Sequence, residues 1–250
     1  MKYRDLLYQN YSNNFGAAKP ANSSGQFSVF ERTYRELSEI PKSGKVGDLG
    51  CGRGEWLIWL AEQQFEDLVG VDVAGSELKK AFEGRDSLRL VESEVTKHLE
   101  EKSDHYNLLH AKDVFEHLTK DEAVAFLQAA RGALKEGGEL WILTYNAQAP
   151  IAEATGAGDF THELAVTPSS MAQVARATGF EVASIRGFVP ARIGWKGSVR
   201  LWLYDLVTFP TQIVKRLRHG QGQSGASEQV ELHSLRPDLF IRLHKGPERS

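Results

Sequence analysis

The chain has 250 residues, 41% of them hydrophobic, which is enough for one well-buried domain. Its formal net charge of −3 argues against nucleic-acid binding, and its single cysteine, Cys51, excludes an internal disulfide and fits a reducing compartment. The polar start of the sequence and the absence of an apolar run of ~20 residues predict neither a secretory signal nor a membrane span, so we expect a cytoplasmic protein.

A polar lead-in precedes the first regular pattern. Residues 1–30 are rich in Asn, Ser, Gly and aromatic residues, and the apolar spacing of residues 28–40 predicts a helix that ends before Gly44. From residue 45 onward, strand patterns alternate with helical ones. The predicted strands are Lys45–Leu49, Leu68–Val73, Leu88–Val91, Tyr106–His110, Glu139–Thr144, Phe180–Phe188 and Leu239–His244.

The predicted helices carry start and stop signals. Thr119 and Glu122 have the spacing of a capping box, and Thr167 followed by Pro168 is typical of a helix start. Such alternation predicts an α/β fold with an open, doubly wound and mostly parallel sheet. The predicted helices run over Glu55–Gln64, Ser76–Phe82, Thr119 to the Gly137–Gly138 pair, and Thr167 to Gly179.

Three regions follow from this pattern. Residues 1–40 form the lead-in and its helix, 41–188 plus 238–246 form the main domain, and 189–237 form an insertion before the last strand. Within the insertion, residues 196–219 combine five basic residues and one acid with apolar and aromatic side chains. We expect this segment to be a lid, an interface or an element that touches a membrane surface or an anionic glycan carrier.

The glycine-rich motif VGDLGCGRGEW at 46–56 ends a strand in Asp48 and places Gly50, Gly52 and Gly54 before a helix. Glycines let the backbone approach a ligand closely, and the amides at a helix start favour an anion. Asp72 ends the second strand, where a carboxylate can accept hydrogen bonds from ribose hydroxyls. The motif therefore favours a ligand with a ribose, a carboxylate and an ammonium group that Asp48 could meet.

A nicotinamide dinucleotide fits this turn poorly. Its fingerprint is Gly-x-Gly-x-x-Gly, but counted from Gly50 the last position is Glu55, and counted from Gly47 the third is Leu49. An acid would then stand where the pyrophosphate binds. An ordinary strand–helix connection is the alternative interpretation of the turn, and Cys51 is expected to be a small buried residue.

Five motifs in order resemble those of the class I S-adenosylmethionine-dependent methyltransferases. They are VGDLGCGRG (46–54), VGVDV (69–73), VESEV (91–95), DVFEHL (113–118) and LKEGGELWI (134–142). The resemblance implies a Rossmann-like sheet of seven strands with the last one antiparallel, and S-adenosylmethionine as cofactor. Glu94 stands where the family usually has an aspartate. The cofactor contacts that the resemblance implies are Asp48, Gly50, Gly52, Gly54, Asp72, Val73, Glu94, Val95 and Asp113.

The motif DVFEHL follows the fourth predicted strand. If this turn is helical, Asp113, Glu116 and His117 share one face. Carboxylates and an imidazole suit Mg²⁺, Mn²⁺ or Fe²⁺. His162, in the loop motif GDFTHEL (158–164), is a fourth candidate ligand. The ubiquinone-biosynthesis O-methyltransferases and the small-RNA 2′-O-methyltransferases have a similar motif that binds a divalent metal, so the resemblance implies a metal here.

Two metal-free interpretations of the same residues stay open. An alkyl hydroxyl is about as weak an acid as water, so its methylation needs a base or a metal ion. His162 or His117 could act as that base. Alternatively, the Glu116–His117 pair only supports the loop beside the cofactor, as in many methyltransferases of this superfamily.

A narrower resemblance concerns the acceptor. TYNAQAP (144–150) and GDFTHELAVTPSSM (158–171) resemble methyltransferases encoded with bacterial surface-polysaccharide pathways. This implies O-methylation of a sugar or glycan, with Asn146, Asp159 and His162 on the substrate side. Turn-capping side chains are the alternative for Asn146 and Asp159.

Other functions are open at this point. They are a metal-independent N- or carboxyl-methyltransferase, a nicotinamide oxidoreductase, and a protein that binds the cofactor without turning it over. The sequence favours no nucleic-acid partner and predicts no oligomeric state.

Overall fold

The structure, a computed structural model, describes residues 24–73, 82–150, 156–188, 229–232 and 234–247, and the shorter stretches 3, 7, 152, 199, 202–204, 206 and 208–210. Apart from Phe82, the predicted helix at 76–82 lies outside the described residues, as does most of the 189–237 insertion. Within the described part of the chain, no helix has the length and apolar character needed to cross a membrane.

An eight-stranded sheet organises the fold. The strands are β1 (Lys45–Leu49), β2 (Asp67–Asp72), β3 (Leu88–Glu92), β4 (Tyr106–Lys112), β5 (Leu134–Tyr145), β6 (Glu181–Phe188), β7 (Gln229–Val230) and β8 (Asp238–His244). They lie in the order β3-β2-β1-β4-β5-β8-β6-β7, and β8 alone runs antiparallel to its neighbours. The predicted fold class is confirmed, with one addition: the two-residue strand β7 extends the sheet beside β6.

Helices cover both faces of the sheet. Their starts follow the sequence signals, because Thr119 forms its capping box with Glu122 and Thr167 forms one with Ser170. The predicted helix over 28–40 is instead broken after Thr33 and continues as a 3-10 turn. The described helices are α1 (Ser24–Thr33), α2 (Glu55–Glu62), α3 (Val95–Glu100), α4 (Lys120–Ala133) and α5 (Pro168–Ala177), with 3-10 turns at Arg35–Glu39 and Phe115–His117.

The Gly137–Gly138 pair does not end a helix, and this prediction is wrong. Helix α4 ends at Ala133, and Leu134 is already extended and opposite Tyr106 in the sheet. A Cβ atom on Gly138 would lie 2.9 Å from the Lys135 carbonyl oxygen and 3.1 Å from that of Tyr106. The glycine is required because the start of β5 passes so close to β4.

The two faces of the sheet bury different side chains. Helices α3, α4 and α5 pack on one face over a mainly aliphatic cluster. Helices α1 and α2 and the first 3-10 turn pack on the other face over an aromatic cluster, which includes Tyr34, Trp56, Trp59, Trp141 and Phe240. The carboxyl ends of β1, β2 and β4 meet at one edge of the sheet, where doubly wound folds bind their ligands.

Candidate active site

The glycine turn after β1 packs directly against the segment after β4. Gly50, Gly52 and Gly54 have φ angles of 70°, 52° and 70°, a left-handed conformation that favours glycine. The Gly50 amide donates to the Val71 carbonyl over 2.8 Å, and a Cβ atom on Gly50 would lie 2.5 Å from Cγ2 of Val114. The turn expected to hold the cofactor therefore adjoins the DVFEHL segment.

Asp72 holds this turn in place. Its Oδ2 atom accepts a hydrogen bond from the Gly52 amide over 2.9 Å, while the neighbouring Val73 is 60% exposed. Cys51 is buried against Gly70, and burial followed by the charge of Asp48 raises the pKa of its thiol. Cys51 is therefore a small neutral residue of the turn, as its sequence context predicts.

Glu94 has a structural role that the sequence analysis did not foresee. Its two carboxylate oxygens accept from the Thr96 and Lys97 amides over 3.0 and 2.8 Å, so Glu94 is the N-cap of α3. Val95 follows it, partly buried against the aliphatic cluster. A contact between Glu94 and adenine would have to share oxygens that already accept.

Asp48 is buried and hydrogen-bonded. Its Oδ1 atom lies 2.7 Å from Nδ1 of His110, the residue beside it on β4. The Nε2 atom of His110 lies 2.9 Å from the Tyr34 hydroxyl. His110 and Tyr34 were not among the predicted site residues, although a histidine inside the apolar strand segment LLHA (108–111) was a signal.

The predicted helical face of Asp113, Glu116 and His117 is not formed. Asp113 has a φ of +55°, and only Phe115–His117 form a short 3-10 turn. The side chain of Asp113 is exposed and pairs with Lys112. Because the left-handed residue redirects the chain, Asp113 lies outside the helical turn and does not join the other predicted metal ligands.

Glu116 faces the protein interior and supports the loop that follows β5. It is 4% exposed, and its Oε2 atom accepts from the Thr144 hydroxyl over 3.0 Å. Burial, followed by the charge of Asp113, raises the pKa of Glu116 to about 7. Its carbonyl oxygen accepts from the Glu163 and Leu164 amides over 2.9 and 3.0 Å. The structure thus shows loop support where the sequence predicted a metal ligand.

A cluster of His117, Asp159 and His162 forms instead, with one potential ligand atom from each lying within 4.8 Å of the others. Thr161 links two of them: its hydroxyl donates to Oδ1 of Asp159 over 2.6 Å and lies 2.8 Å from Nδ1 of His117. Because the hydroxyl hydrogen is used on Asp159, Nδ1 of His117 is the donor and Nε2 carries the lone pair. The set of potential metal ligands therefore contains Asp159 in place of Asp113 and Glu116. Asp159 was expected to contact substrate.

The second histidine of this cluster has the same tautomer. Nδ1 of His162 donates to the Gly156 carbonyl oxygen over 3.2 Å, so its lone pair is also on Nε2. Its ring stacks on Tyr145, with centroids 5.5 Å apart. The fixed ring and the carbonyl acceptor together hold Nε2 in one direction.

The surroundings of the cluster lower the pKa values of His117 and Asp159. Burial, followed by the nearby His162, lowers the pKa of His117. Burial alone would raise the pKa of Asp159, but hydrogen bonds from Thr161 outweigh it, and the net pKa is lowered. Near pH 7 the cluster therefore contains a neutral imidazole beside an ionised carboxylate, a combination that can take a proton or bind a cation.

The side-chain amide of Asn146 is hydrogen-bonded within the fold. It is fully buried, and its Nδ2 atom donates to the carbonyl oxygens of Ser234 and Arg236, each over 2.9 Å. Its Oδ1 atom accepts from the Gln148 amide. Asn146 fastens the end of β5 to the segment before β8, so the expected substrate contact gives way to the backbone-capping alternative.

The family of the chain follows from its sequence. A family model described as a methyltransferase domain matches residues 25–185, more than half of the chain. The chain belongs to this methyltransferase family. Its predicted cofactor, S-adenosylmethionine, follows from that membership. No curated protein sequence matches this methyltransferase.

Solved structures share the fold of this methyltransferase. An S-adenosylmethionine-dependent methyltransferase from Archaeoglobus fulgidus is 18% identical with a TM-score of 0.61, covering 98% of this chain and 100% of that one. The magnesium protoporphyrin IX methyltransferase from Synechocystis is 13% identical with a TM-score of 0.59, covering 98% of both chains. A putative sarcosine dimethylglycine methyltransferase from Galdieria sulphuraria is 11% identical with a TM-score of 0.58, covering 88% of this chain and 85% of that one. These likenesses confirm the class I methyltransferase fold.

Proposed function

We propose that this methyltransferase transfers a methyl group from S-adenosylmethionine to a hydroxyl group of a sugar or glycan. The observation that carries the proposal is the cluster of His117, Asp159 and His162 at the ligand-binding edge of the sheet. An amine attacks an activated methyl group unaided, whereas an alkyl hydroxyl needs its proton removed or its oxygen bound to a cation. The cluster provides the groups for either route.

In the first route, His117 acts as a general base. As the acceptor oxygen forms its bond to the methyl carbon, the carbon–sulfur bond breaks and its electrons stay on sulfur, which gives S-adenosylhomocysteine. The hydroxyl proton passes to Nε2 of His117. The resulting imidazolium still donates through Nδ1 to Thr161, whose hydroxyl contacts the Asp159 carboxylate, so the positive charge is stabilised.

In the second route, His117, Asp159 and His162 would hold a divalent cation, and that ion would lower the pKa of the acceptor hydroxyl. Ligand atoms about 2.1 Å from one ion are about 3 to 4 Å apart, so the observed limit of 4.8 Å requires only a small closure. Two imidazole nitrogens and one carboxylate oxygen suit Mn²⁺ or Fe²⁺. The expected Mg²⁺ fits this donor set less well, because Mg²⁺ prefers oxygen ligands.

An exposed aromatic side chain supports a sugar as the acceptor. Phe160 stands between Asp159 and Thr161 and is 82% exposed, and its ring is perpendicular to that of Tyr3 at a centroid distance of 6.2 Å. A sugar ring has an apolar face of C–H groups that can pack on an aromatic ring while its hydroxyls are hydrogen-bonded elsewhere. Phe160 offers such a face beside the cluster.

The test is methyl transfer from radiolabelled S-adenosylmethionine to a panel of nucleotide sugars and surface glycans, with amines and carboxylic acids as competing acceptors. We expect a labelled methyl ether that resists mild alkaline hydrolysis. EDTA abolishes activity in the cation route, and Mn²⁺ restores it; EDTA has no effect in the base route. Transfer only to amines or carboxylates would overturn the proposal.

We also propose that residues 196–219 contact an anionic membrane surface. Val199, Trp202, Leu203, Leu206 and Phe209 are between 44% and 62% exposed and follow helical spacing. The five basic residues of the segment complement anionic lipid. The Tyr204 hydroxyl donates to the Leu235 carbonyl oxygen, which attaches the segment near β8.

Co-sedimentation with vesicles tests this contact. We expect binding to vesicles with phosphatidylglycerol but not to pure phosphatidylcholine, and loss of binding in Trp202→Glu. Val124→Glu is the matched control, because Val124 is an exposed apolar residue on α4. Equal sedimentation of the two variants would contradict membrane contact through this segment.

A further inference from the structure

A buried polar chain of three side chains crosses the aromatic face of the sheet. Asp48, His110 and Tyr34 are 4%, 1% and 3% exposed. Asp48 and His110 lie side by side on β1 and β4, and Tyr34 reaches them from between α1 and the first 3-10 turn. The Asp48–His110 and His110–Tyr34 contacts measure 2.7 and 2.9 Å. Three polar groups are thus linked where apolar side chains otherwise fill the core.

The hydrogen bonds assign a direction to this chain. An ionised carboxylate only accepts, so Nδ1 of His110 donates to Asp48. Nε2 then carries the lone pair and accepts from the Tyr34 hydroxyl. Within the described part of the chain, Tyr34 has no other hydrogen-bond acceptor, so the neutral imidazole is the form that satisfies all three groups. The hydrogen bonds therefore run in one direction, from the Tyr34 hydroxyl through His110 to Asp48.

Packing holds the imidazole rigidly. The Trp56 indole stacks on the His110 ring at a centroid distance of 4.0 Å, and Tyr34 is itself parallel to Trp141 at 6.2 Å. A rigid donor fixes the orientation of the carboxylate that it contacts. Tyr34 in turn fixes which nitrogen of His110 carries the proton.

Asp48 retains an unused oxygen. No hydrogen bond reaches its Oδ2 atom from any residue that the structure describes. A buried carboxylate with a single hydrogen bond is poorly compensated, and a cationic ligand group would complete it. Asp48 stands two residues before Gly50, at the start of the turn that holds the cofactor.

We infer that His110 and Tyr34 are positioning residues for the cofactor: they hold the Asp48 carboxylate in one orientation, with Oδ2 left for the ammonium group of S-adenosylmethionine. This inference rests on the proposed methyl transfer from S-adenosylmethionine and on the expectation from the sequence that Asp48 contacts the ammonium group of that cofactor. It makes the region between α1 and the first 3-10 turn, which the sequence analysis separated from the main domain, part of the cofactor site.

The alternative is a purely structural role, and the chain offers a matched control for it. His98 and Tyr106 form a second buried pair, with 2.7 Å between Nε2 and the hydroxyl oxygen. Tyr106 belongs to the aliphatic cluster on the other face of the sheet. Tyr106→Phe therefore removes the same kind of hydrogen bond as Tyr34→Phe, away from the glycine turn.

The experiment compares two ligands on each variant by isothermal titration calorimetry: S-adenosylhomocysteine and its analogue that lacks the α-amino group. We expect Tyr34→Phe to weaken S-adenosylhomocysteine about threefold to tenfold and to leave the analogue unchanged. His110→Asn, which can keep a donor near Asp48 but cannot contact Tyr34, should show the same selectivity. Tyr106→Phe should change neither affinity.

Several results would overturn the inference. Equal loss of affinity for both ligands in Tyr34→Phe would show a structural role, and no loss for either would show that Tyr34 is dispensable.

The Asp48→Asn variant distinguishes failure of the inference from failure of the Asp48 role on which it rests. If Asp48→Asn is selective for the amino group and Tyr34→Phe is not, only the inference fails. If the wild type binds both ligands equally, the ammonium role of Asp48 fails as well. Thermal unfolding confirms that each variant is folded, and Tyr34→Phe keeps the ring that packs on Trp141.

Discussion

Two buried histidine–tyrosine pairs lie on opposite faces of the sheet, and they differ in what lies beyond the histidine. Among the residues that the structure describes, the His98 side chain has no hydrogen-bond partner other than Tyr106, and burial followed by the charge of Lys102 lowers the pKa of His98. The His110–Tyr34 pair continues to Asp48 at the carboxyl end of β1. The histidine–tyrosine hydrogen bond thus only stabilises the core in the His98–Tyr106 pair, whereas in our proposal the His110–Tyr34 pair belongs to the ligand site.

A third histidine extends the comparison. His117 reaches the carboxylate of Asp159 through Thr161, at the same edge of the sheet as Asp48. Both carboxylate-linked histidines have a fixed tautomer, which a histidine paired only with tyrosine does not require. We therefore expect a histidine in this protein to matter for function when its hydrogen bonds lead to a carboxylate, and not when they lead only to a tyrosine.

The largest effect is expected for His117→Gln. Removal of a general base or a cation ligand should slow methyl transfer at least ~100-fold while the affinity for S-adenosylhomocysteine is unchanged. His105→Gln is the control, because His105 lies at the amino end of β4. A radiolabel transfer assay with parallel calorimetry measures both quantities. Wild-type turnover in His117→Gln would show that His117 is neither a general base nor a required cation ligand.

The next effect is expected for Asp48→Asn. Loss of a charged hydrogen-bond partner should weaken S-adenosylhomocysteine about tenfold to 100-fold in calorimetric titration. Asp67→Asn is the control, since Asp67 begins β2 at the opposite edge of the sheet and pairs with Lys45. Similar losses in the two variants would mean that the position of the carboxylate does not matter.

Asp238 is a carboxylate whose ionisation should make the stability of the fold depend on pH. Burial, followed by the charge of Asp113, raises the pKa of Asp238 to about 6. Its unfolded pKa is about 3.9, so the protonated group favours the folded state at low pH, and this stabilisation is lost as the pH rises through 4 to 6.

Asp238→Asn removes the cost of ionisation. The variant should exceed the wild type in free energy of unfolding by roughly 2 to 3 kcal/mol at most at pH 7.5, and by little at pH 4. Urea unfolding at the two pH values measures the difference. A gain of equal size at both would point to packing instead of ionisation.

The smallest effect is expected for Tyr106→Phe. Loss of one buried hydrogen bond should lower the free energy of unfolding by about 0.5 to 1.5 kcal/mol without changing ligand affinity. Thermal and urea unfolding measure this change. A clear loss of affinity for S-adenosylhomocysteine in this variant would contradict the expectation that only the His110–Tyr34 pair influences cofactor binding.

Local sequence signals predicted much of the fold. The apolar runs of the strands, the capping boxes at Thr119 and Thr167 and the glycine turn each depend on residues close together in the chain. The order of the motifs was enough to predict an antiparallel last strand and the cofactor. The Gly137–Gly138 pair is ambiguous in sequence, because glycine occurs both at helix ends and where strands approach closely.

The candidate site depended more on tertiary structure. Helical spacing placed Asp113, Glu116 and His117 on one face, but a left-handed Asp113 and the interior position of Glu116 separate them. Asp159 lies near His117 because two contacts join the loop after β5 to the 3-10 turn: the Glu116 carbonyl accepts from the Glu163 and Leu164 amides, and the Thr161 hydroxyl contacts His117.

The sequence by itself therefore determined the layers of the fold, the glycine turn after β1 and the family. Patterns of apolar, glycine and capping residues act over a few positions and can be read from neighbours. Tertiary structure decided which acids and histidines meet, as with Asp48 and His110, which are 62 residues apart in sequence. Such contacts depend on strand order and backbone direction, which a local pattern does not contain.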